Sequence, residues 1–247
     1  MFTGPNIITD GLVLYLDAAN TKSYPGSGTT WSDLSGNGNN GTLVNGPTFN
    51  STNGGSIVFD GVNDYAVINS PLSYLLPSST EVLFSVNNFT TNNTVIGGYD
   101  QGYDNNFSSA IIGMIFITNS SKKIVSSVIT TTQIYRTVTS TTTLTEGKYY
   151  HVILNKDTVN GLLQLYVNGV LESSITFDTA SYAQWPTLGN FRGSNVIRLS
   201  DTLSSNSIFN TTKYLNGRIP IFKLYNRILS ASEILQNYNA TKGRFNL

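Results

Sequence analysis

The chain has no cysteine and a single histidine in 247 residues. The first absence excludes disulfides, thiolate metal sites and a cysteine nucleophile. The second leaves His151 as the sole imidazole. It sits in the run YYHVILN, which alternates like a strand, and a histidine there more often packs or faces solvent than acts as a base. Charge is also scarce. Charged residues make up 11% of the chain, against about 25% in an ordinary soluble domain. Net charge is zero and lysines and arginines form no run, so there is no electrostatic footprint for nucleic acid or an anionic membrane. No apolar run approaches the ~18 residues of a membrane-spanning helix. The opening MFTGPNIITDGLVLYLDA lacks the basic and apolar regions of a signal peptide. No serine stands in the G-x-S-x-G setting of a hydrolase nucleophile.

What the chain does have is serine, threonine, asparagine, glycine and aromatics. The hydrophobic share is 39%, with 14 tyrosines and 12 phenylalanines, enough for a real core. Hydroxyls and amides must cover the surface. Such a surface suits neutral hydrogen-bonding partners such as sugars, and packing into assemblies.

Most of the sequence reads as short strands broken by turns. In GLVLYLDA the alternation sets Leu12, Leu14 and Leu16 on one side. SIVFD and YAVIN flank a Gly-Val-Asn-Asp turn. EVLFSV, AIIGMIFI, KIVSSVIT, YYHVILN, LLQLYV, SSITF, NVIRL and RIPIFKLY are rich in the β-branched and aromatic residues that pleated surfaces prefer. Within YYHVILNKDTVNGLLQLYVNGVLESSITF, two Asn-Gly pairs predict an antiparallel meander. The pair Asn168-Gly169 suits a type I′ hairpin turn, and Leu163, Leu165 and Val167 share a face. The stretch VNNFTTNNTVIGGYDQGYDNNFSS reads as long loops. One helix is predicted, in NRILSASEILQNYNATKG. Ser230 and Glu233 form a capping box, Leu229 and Ile234 a hydrophobic staple, and Ile234, Leu235 and Tyr238 an apolar stripe. Gly243 is the expected stop. The fold class is therefore all-β: a two-sheet antiparallel sandwich with one short C-terminal helix. Residues 1–10 read as an N-terminal arm, and 11–247 as one β-sandwich domain.

The stretch WSDLSGNGNNGTL admits three readings. GNGNNG has the spacing of a dinucleotide-binding loop, but Pro47 and a further Asn-Gly pair forbid the helix that such a loop must open. DLSGNG matches the first half of a calcium loop, with Asp33, Ser35 and Asn37 at alternate positions. An EF-hand needs a bidentate glutamate at the twelfth position, and here that residue is Val44. The favoured reading is a shaped connection. Gly36, Gly38 and Gly41 take positive φ, Asp33 and the asparagines bond to backbone N–H groups, and Trp31 anchors the loop. No cofactor is expected, and calcium at Asp33 is the single candidate metal.

Several blocks, in order, resemble a known family. They are GLVLYLDAAN, TTWSDLSGNGNNGTL, GSIVFDGVNDYAVI, GKYYHVILNKD with LQLYVNGVL, and LNGRIPIFKLYNRILSASEILQNY. Together, from Gly11 to Tyr238, they resemble the laminin-G-like branch of the concanavalin A-like lectin/glucanase superfamily. The first part, with its YPGSGTTWSDLSGNGNNGTL run, is similar to domains in virion proteins of tailed bacteriophages. The resemblance implies a jelly roll of two antiparallel sheets, with Asp60-Gly61 and the turn at Gly169 as structural markers. Residues 81–134 match the family pattern least and are where binding specificity is expected.

The superfamily holds glycosidases, sugar binders and structural modules, so fold alone does not select a function. Glycosidases need two carboxylates flanking the scissile bond. The related glucanases carry them on one strand in an E-x-D-x-E-like pattern, which this chain lacks. Asp60/Asp64 and Asp100/Asp104 sit in turn-like sequence. Sugar binding needs aromatics beside polar groups, and Tyr99, Tyr103 and Asp104 form one candidate set, Tyr182 and Trp185 another. The expected function is a non-enzymatic bacteriophage virion structural protein on the particle surface, as capsid decoration, fibre or tail component. It would be made in the host bacterial cytoplasm and assembled as a homo-oligomer with other virion proteins, with weak host-glycan contact. The alternatives are a dedicated carbohydrate-binding adhesin and a glycan hydrolase. The arm, with Pro5 favouring an extended chain, is an expected docking segment.

Overall fold

The structure is a computed structural model of the chain and describes residues 4–69, 76–89, 94–100, 114–118, 120–129, 135–180, 196–199 and 214–247. The first strands are β1 (Leu12–Asp17), β2 (Thr30–Trp31), β3 (Gly41–Val44), β4 (Thr48–Asn50), β5 (Ser56–Asp60), β6 (Tyr65–Asn69), β7 (Ser78–Val86) and β8 (Thr94–Asp100). After them come β9 (Met114–Thr118), β10 (Lys123–Ile129), β11 (Tyr135–Thr139), β12 (Tyr149–Asp157), β13 (Leu162–Val167), β14 (Val170–Thr176), β15 (Val196–Leu199) and β16 (Asn216–Tyr225). Helix α1 (Ala231–Phe245) follows.

These strands form two antiparallel sheets. The first runs β14-β13-β12-β7-β16-β5-β4, and the second β11-β10-β9-β8-β15-β6-β3-β2. Strand β16 is long enough to hold two partners along one edge: β5 pairs with Asn216–Ile219 and β1 with Ile221–Tyr225. Pro220 lies between these stretches, where the register to β7 shifts. A proline has no N–H for the ladder, and it is tolerated in a central strand at such an irregularity because the pairing is interrupted there.

The meander is as expected, β12-β13-β14, with Asn168 (φ 51°) and Gly169 (φ 80°) turning the hairpin. Leu163, Leu165 and Val167 join the core between the sheets. Three expectations change. TVIGGYD is strand β8, paired to both β9 and β15, rather than part of a long loop; it carries valine, isoleucine and tyrosine, which the surrounding asparagines mask in composition. The register of β1 slips between Leu12 and Leu14. Leu14 and Leu16 therefore enter the main core while Leu12 packs with Ile8 and Tyr225 on the opposite face. Such a bulge reverses the side on which a side chain falls. Gly41 is extended within β3 and has no positive φ; a Cβ there would meet Ile68 at 3.4 Å and Trp31 at 3.5 Å, which is ordinary contact, so the turn does not require a glycine at this position.

Helix α1 lies on the outer face of the first sheet. The Ser230–Glu233 capping box forms, and Leu229 and Ile234 share an apolar cluster with Ile153, Tyr166 and Tyr225. The buried stripe is Ile234, Asn237, Thr241 and Phe245, while Leu235 is 47% exposed. Two polar residues thus hold positions that hydrophobic patterning gives to apolar ones. The helix also runs through Gly243 and ends at Asn246, whose left-handed backbone (φ 54°) makes the C-cap. Asparagine tolerates that conformation better than most side chains.

Candidate functional site

Chemistry-bearing side chains gather beneath α1. Glu81 on β7 stands directly opposite Lys223 on β16 and Ile153 on β12. His151, two residues before Ile153, falls diagonally from Glu81 on the same face, within reach of a long side chain. One Glu81 oxygen accepts from Lys223 Nζ at 2.6 Å and lies 3.0 Å from His151 Nε2; the other accepts from Asn237 Nδ2 of the helix at 2.7 Å. None of the four residues is more than 1% exposed. Burial opposes the carboxylate's charge, but Lys223 and His151 outweigh it and hold the Glu81 carboxyl down to about 2. This is a paired, hydrogen-bonded charge, the form in which burial is tolerated. Helix and sheet close over it.

The cluster extends into a set of fastenings. Asn237 Oδ1 accepts from the backbone N–H of Ile8, and Tyr225 OH donates to the Ile8 carbonyl, so the arm is held against the chain's own helix and sheet. At the helix entry, the Leu229 N–H donates to Ser79 Oγ and the Leu229 carbonyl accepts from Asn155 Nδ2. Arg227 forks onto Glu233 and holds its carboxyl down to about 2. Near the helix end, Arg244 makes a bidentate pair with Asp17 at 2.9 and 3.0 Å. Planar forks of this kind add geometric specificity as well as energy.

Asp33, Asp60 and Asp64 serve turns. Asp33 accepts from the N–H groups of Tyr15, Ser35 and Asn39 and from the Ser35 hydroxyl. Gly36 (φ 89°) and Gly38 (φ 75°) let the backbone fold around it. Trp31 is fully buried beneath. The WSDLSGNGNNG stretch is thus a loop organised around one carboxylate, whose two oxygens already serve these donors. Asp60 accepts from Val62 and Asn63 N–H groups, and Asp64 from that of Asp60. Burial pushes the Asp64 carboxyl up. Among the described residues, no group of three or more histidines, aspartates or glutamates is placed to hold a metal ion. Among them also, no helix is long and apolar enough to cross a membrane.

Two clefts border α1. One, of about 460 Å³, lies between Ile7, Tyr15, Ile221 and the helix, with the Asp17–Arg244 pair in its wall. The other, of about 580 Å³, lies between the β11–β12 connection, the Asn168 turn and residues 245–247.

Of the glycan candidates, Tyr103, Asp104, Tyr182 and Trp185 lie outside the described residues. Tyr99 is in β8, in register with Ile197, which is itself in register with Ile68. Asp100 ends β8, so it belongs to a strand rather than to a turn. Reading the sequence did not single out Glu81, Lys223, Asn237 or Arg244. The available signal was a charge set inside a nearly continuous apolar run, as in IPIFKLY.

A family model described as concanavalin A-like lectin/glucanases superfamily matches residues 60–235. The chain belongs to this superfamily. Solved structures agree on the fold. The botulinum neurotoxin serotype D binding domain is similar with a TM-score of 0.64 at 17% identity, over 94% of this chain and 52% of that one. The serotype D ligand binding domain in complex with N-acetylneuraminic acid has a TM-score of 0.64 at 16% identity, over 94% of this chain and 51% of that one. The type G receptor binding domain has a TM-score of 0.60 at 16% identity, over 93% and 51%. The chain therefore spans about half the length of these structures. No curated protein matches it. Within the superfamily, the jelly roll, its antiparallel sheets and the C-terminal helix are as the sequence implies.

Proposed function

We propose that this superfamily member is a non-enzymatic, glycan-binding surface module of a tailed-bacteriophage virion, serving as capsid decoration, fibre or tail component. The observation that carries the non-enzymatic part is the sealing of Glu81, His151 and Lys223, each at most 1% exposed, beneath α1. A general acid must reach the atom it protonates. Glycan binding is supported by the superfamily and by a surface on which hydroxyls and amides outnumber charges. A similar fold was solved with a bound sialic acid. The virion setting rests on the resemblance of the YPGSGTTWSDLSGNGNNGTL block to phage virion domains. The module needs no cofactor, acts as a homo-oligomer and contacts other virion proteins.

Immunogold electron microscopy of purified particles, with antibody against this chain, tests the setting. Gold on heads or tails is the expected result, and clean particles would refute it. Binding to whole host cells tests the glycan part; its absence at high protein concentration would remove that part.

A further inference from the structure

We infer that the cleft at the end of α1 is the binding site for a neutral glycan unit; this rests on the glycan-binding reading above and names its place. The cleft's volume of about 580 Å³ lies within the roughly 300–1,000 Å³ of small-molecule sites. Its lining mixes neutral polar groups with apolar surface from Phe245 and Leu247, the mixture that a sugar's hydroxyls and ring face require. Asn53, Thr143, Thr145 and Asn168 line it, and Lys148 is its one charged side chain.

The decisive group is Tyr149, which also lines the cleft. The residue is 8% exposed and its hydroxyl has no hydrogen-bond partner. Buried hydroxyls are nearly always paired, and one left unpaired costs stability. The ring packs against Phe245, centroids 4.9 Å apart. Its counterpart on the neighbouring residue is satisfied: Tyr150 OH accepts from the Thr145 N–H at 2.9 Å. That bond fixes the backbone of the threonine wall. Asn168 is fixed too, because its Oδ1 accepts from the His151 N–H at 3.0 Å, leaving its Nδ2 to donate elsewhere. A phenol, two threonine hydroxyls and an amide N–H on fixed backbone match the alternating donors and acceptors of a sugar's hydroxyls. With a single charged side chain in the lining, a neutral ligand is favoured over an ionic one.

The test is an NMR titration of the full chain with glucose, galactose, mannose and N-acetylglucosamine. The expected result is that at least one sugar shifts the backbone amides of Thr143, Thr145, Lys148, Asn168 and Asn246 and few others. Tyr149→Phe should then raise that sugar's Kd about fivefold to tenfold, the worth of one hydrogen bond, with no loss of stability. Thr143→Val at an exposed position gives a second reading should the buried variant fold poorly. Shifts confined to another part of the surface would overturn this site and leave the wider reading standing. No shift with any of the four sugars would also overturn it, and binding to whole cells would then decide the wider reading separately.

Discussion

The two faces of the first sheet are both buried, yet they are built from different chemistry. Facing the second sheet, β7, β12 and β16 present Val82, Phe84, Val152, Leu154, Phe222 and Leu224. Facing α1, the same strands present Glu81, Leu83, His151, Ile153, Asn155, Lys223 and Tyr225. The inner face needs only volume and apolarity, and many arrangements of such side chains would fill it. The outer face has to place one helix and one arm in one position, and it does so with directed bonds from Glu81, Asn155 and Asp17. A charge network is costly to desolvate and costly to break, so it specifies position more than it adds stability.

The largest expected effect separates the faces by kind of failure. Glu81→Ala leaves the Lys223 ammonium buried without its carboxylate and should cost about 3–5 kcal/mol in denaturant unfolding. Replacing Glu81 and Lys223 together by methionine should recover most of that loss. If the double variant is as unstable as the single one, the cost comes from lost packing and the contrast between the faces fails. The next effect is in pH. The Glu81 carboxyl sits at about 2 when folded, below its ordinary 4.5. Its contribution is therefore complete above about 4.5 and is lost as pH falls towards about 2. Unfolding midpoints across this window should drop in the wild type and drop less steeply in Glu81→Gln, where Glu233 still titrates over the same range. A smaller loss, about 1 kcal/mol, is expected for Ser230→Ala, which removes the helix cap. The smallest is Leu235→Gln. Leu235 faces solvent, so thermal unfolding should shift by no more than about 0.5 kcal/mol. A large loss there would restore the stripe expected from the sequence.

These cases also show what the sequence could and could not reveal. The capping box, the staple and the Asn-Gly hairpin were legible because each depends on residues within a few positions of one another. The Asp33 loop was legible for the same reason. Glu81 and Lys223 lie far apart in the chain, and only the register of β7 and β16 brings them together. The apolar run around Lys223 hints that both faces of β16 are buried; nothing local says that a helix covers the outer one. The rotation of the helix stripe onto Asn237 has the same cause, because Asn237 bonds to Glu81, Tyr225 and Ile8, all outside the helix; the Thr241 hydroxyl is instead satisfied within the helix, by the Asn237 carbonyl. The Leu12 bulge is set by pairing with β16, again a distant strand.

The central claim is that the charged cluster under α1 fastens the helix and performs no catalysis. Release of reducing ends from a panel of bacterial polysaccharides, measured with the wild type and with Glu81→Gln, tests it most directly. The account predicts none from either protein. Release by the wild type that disappears in a Glu81→Gln variant of unchanged fold would contradict it.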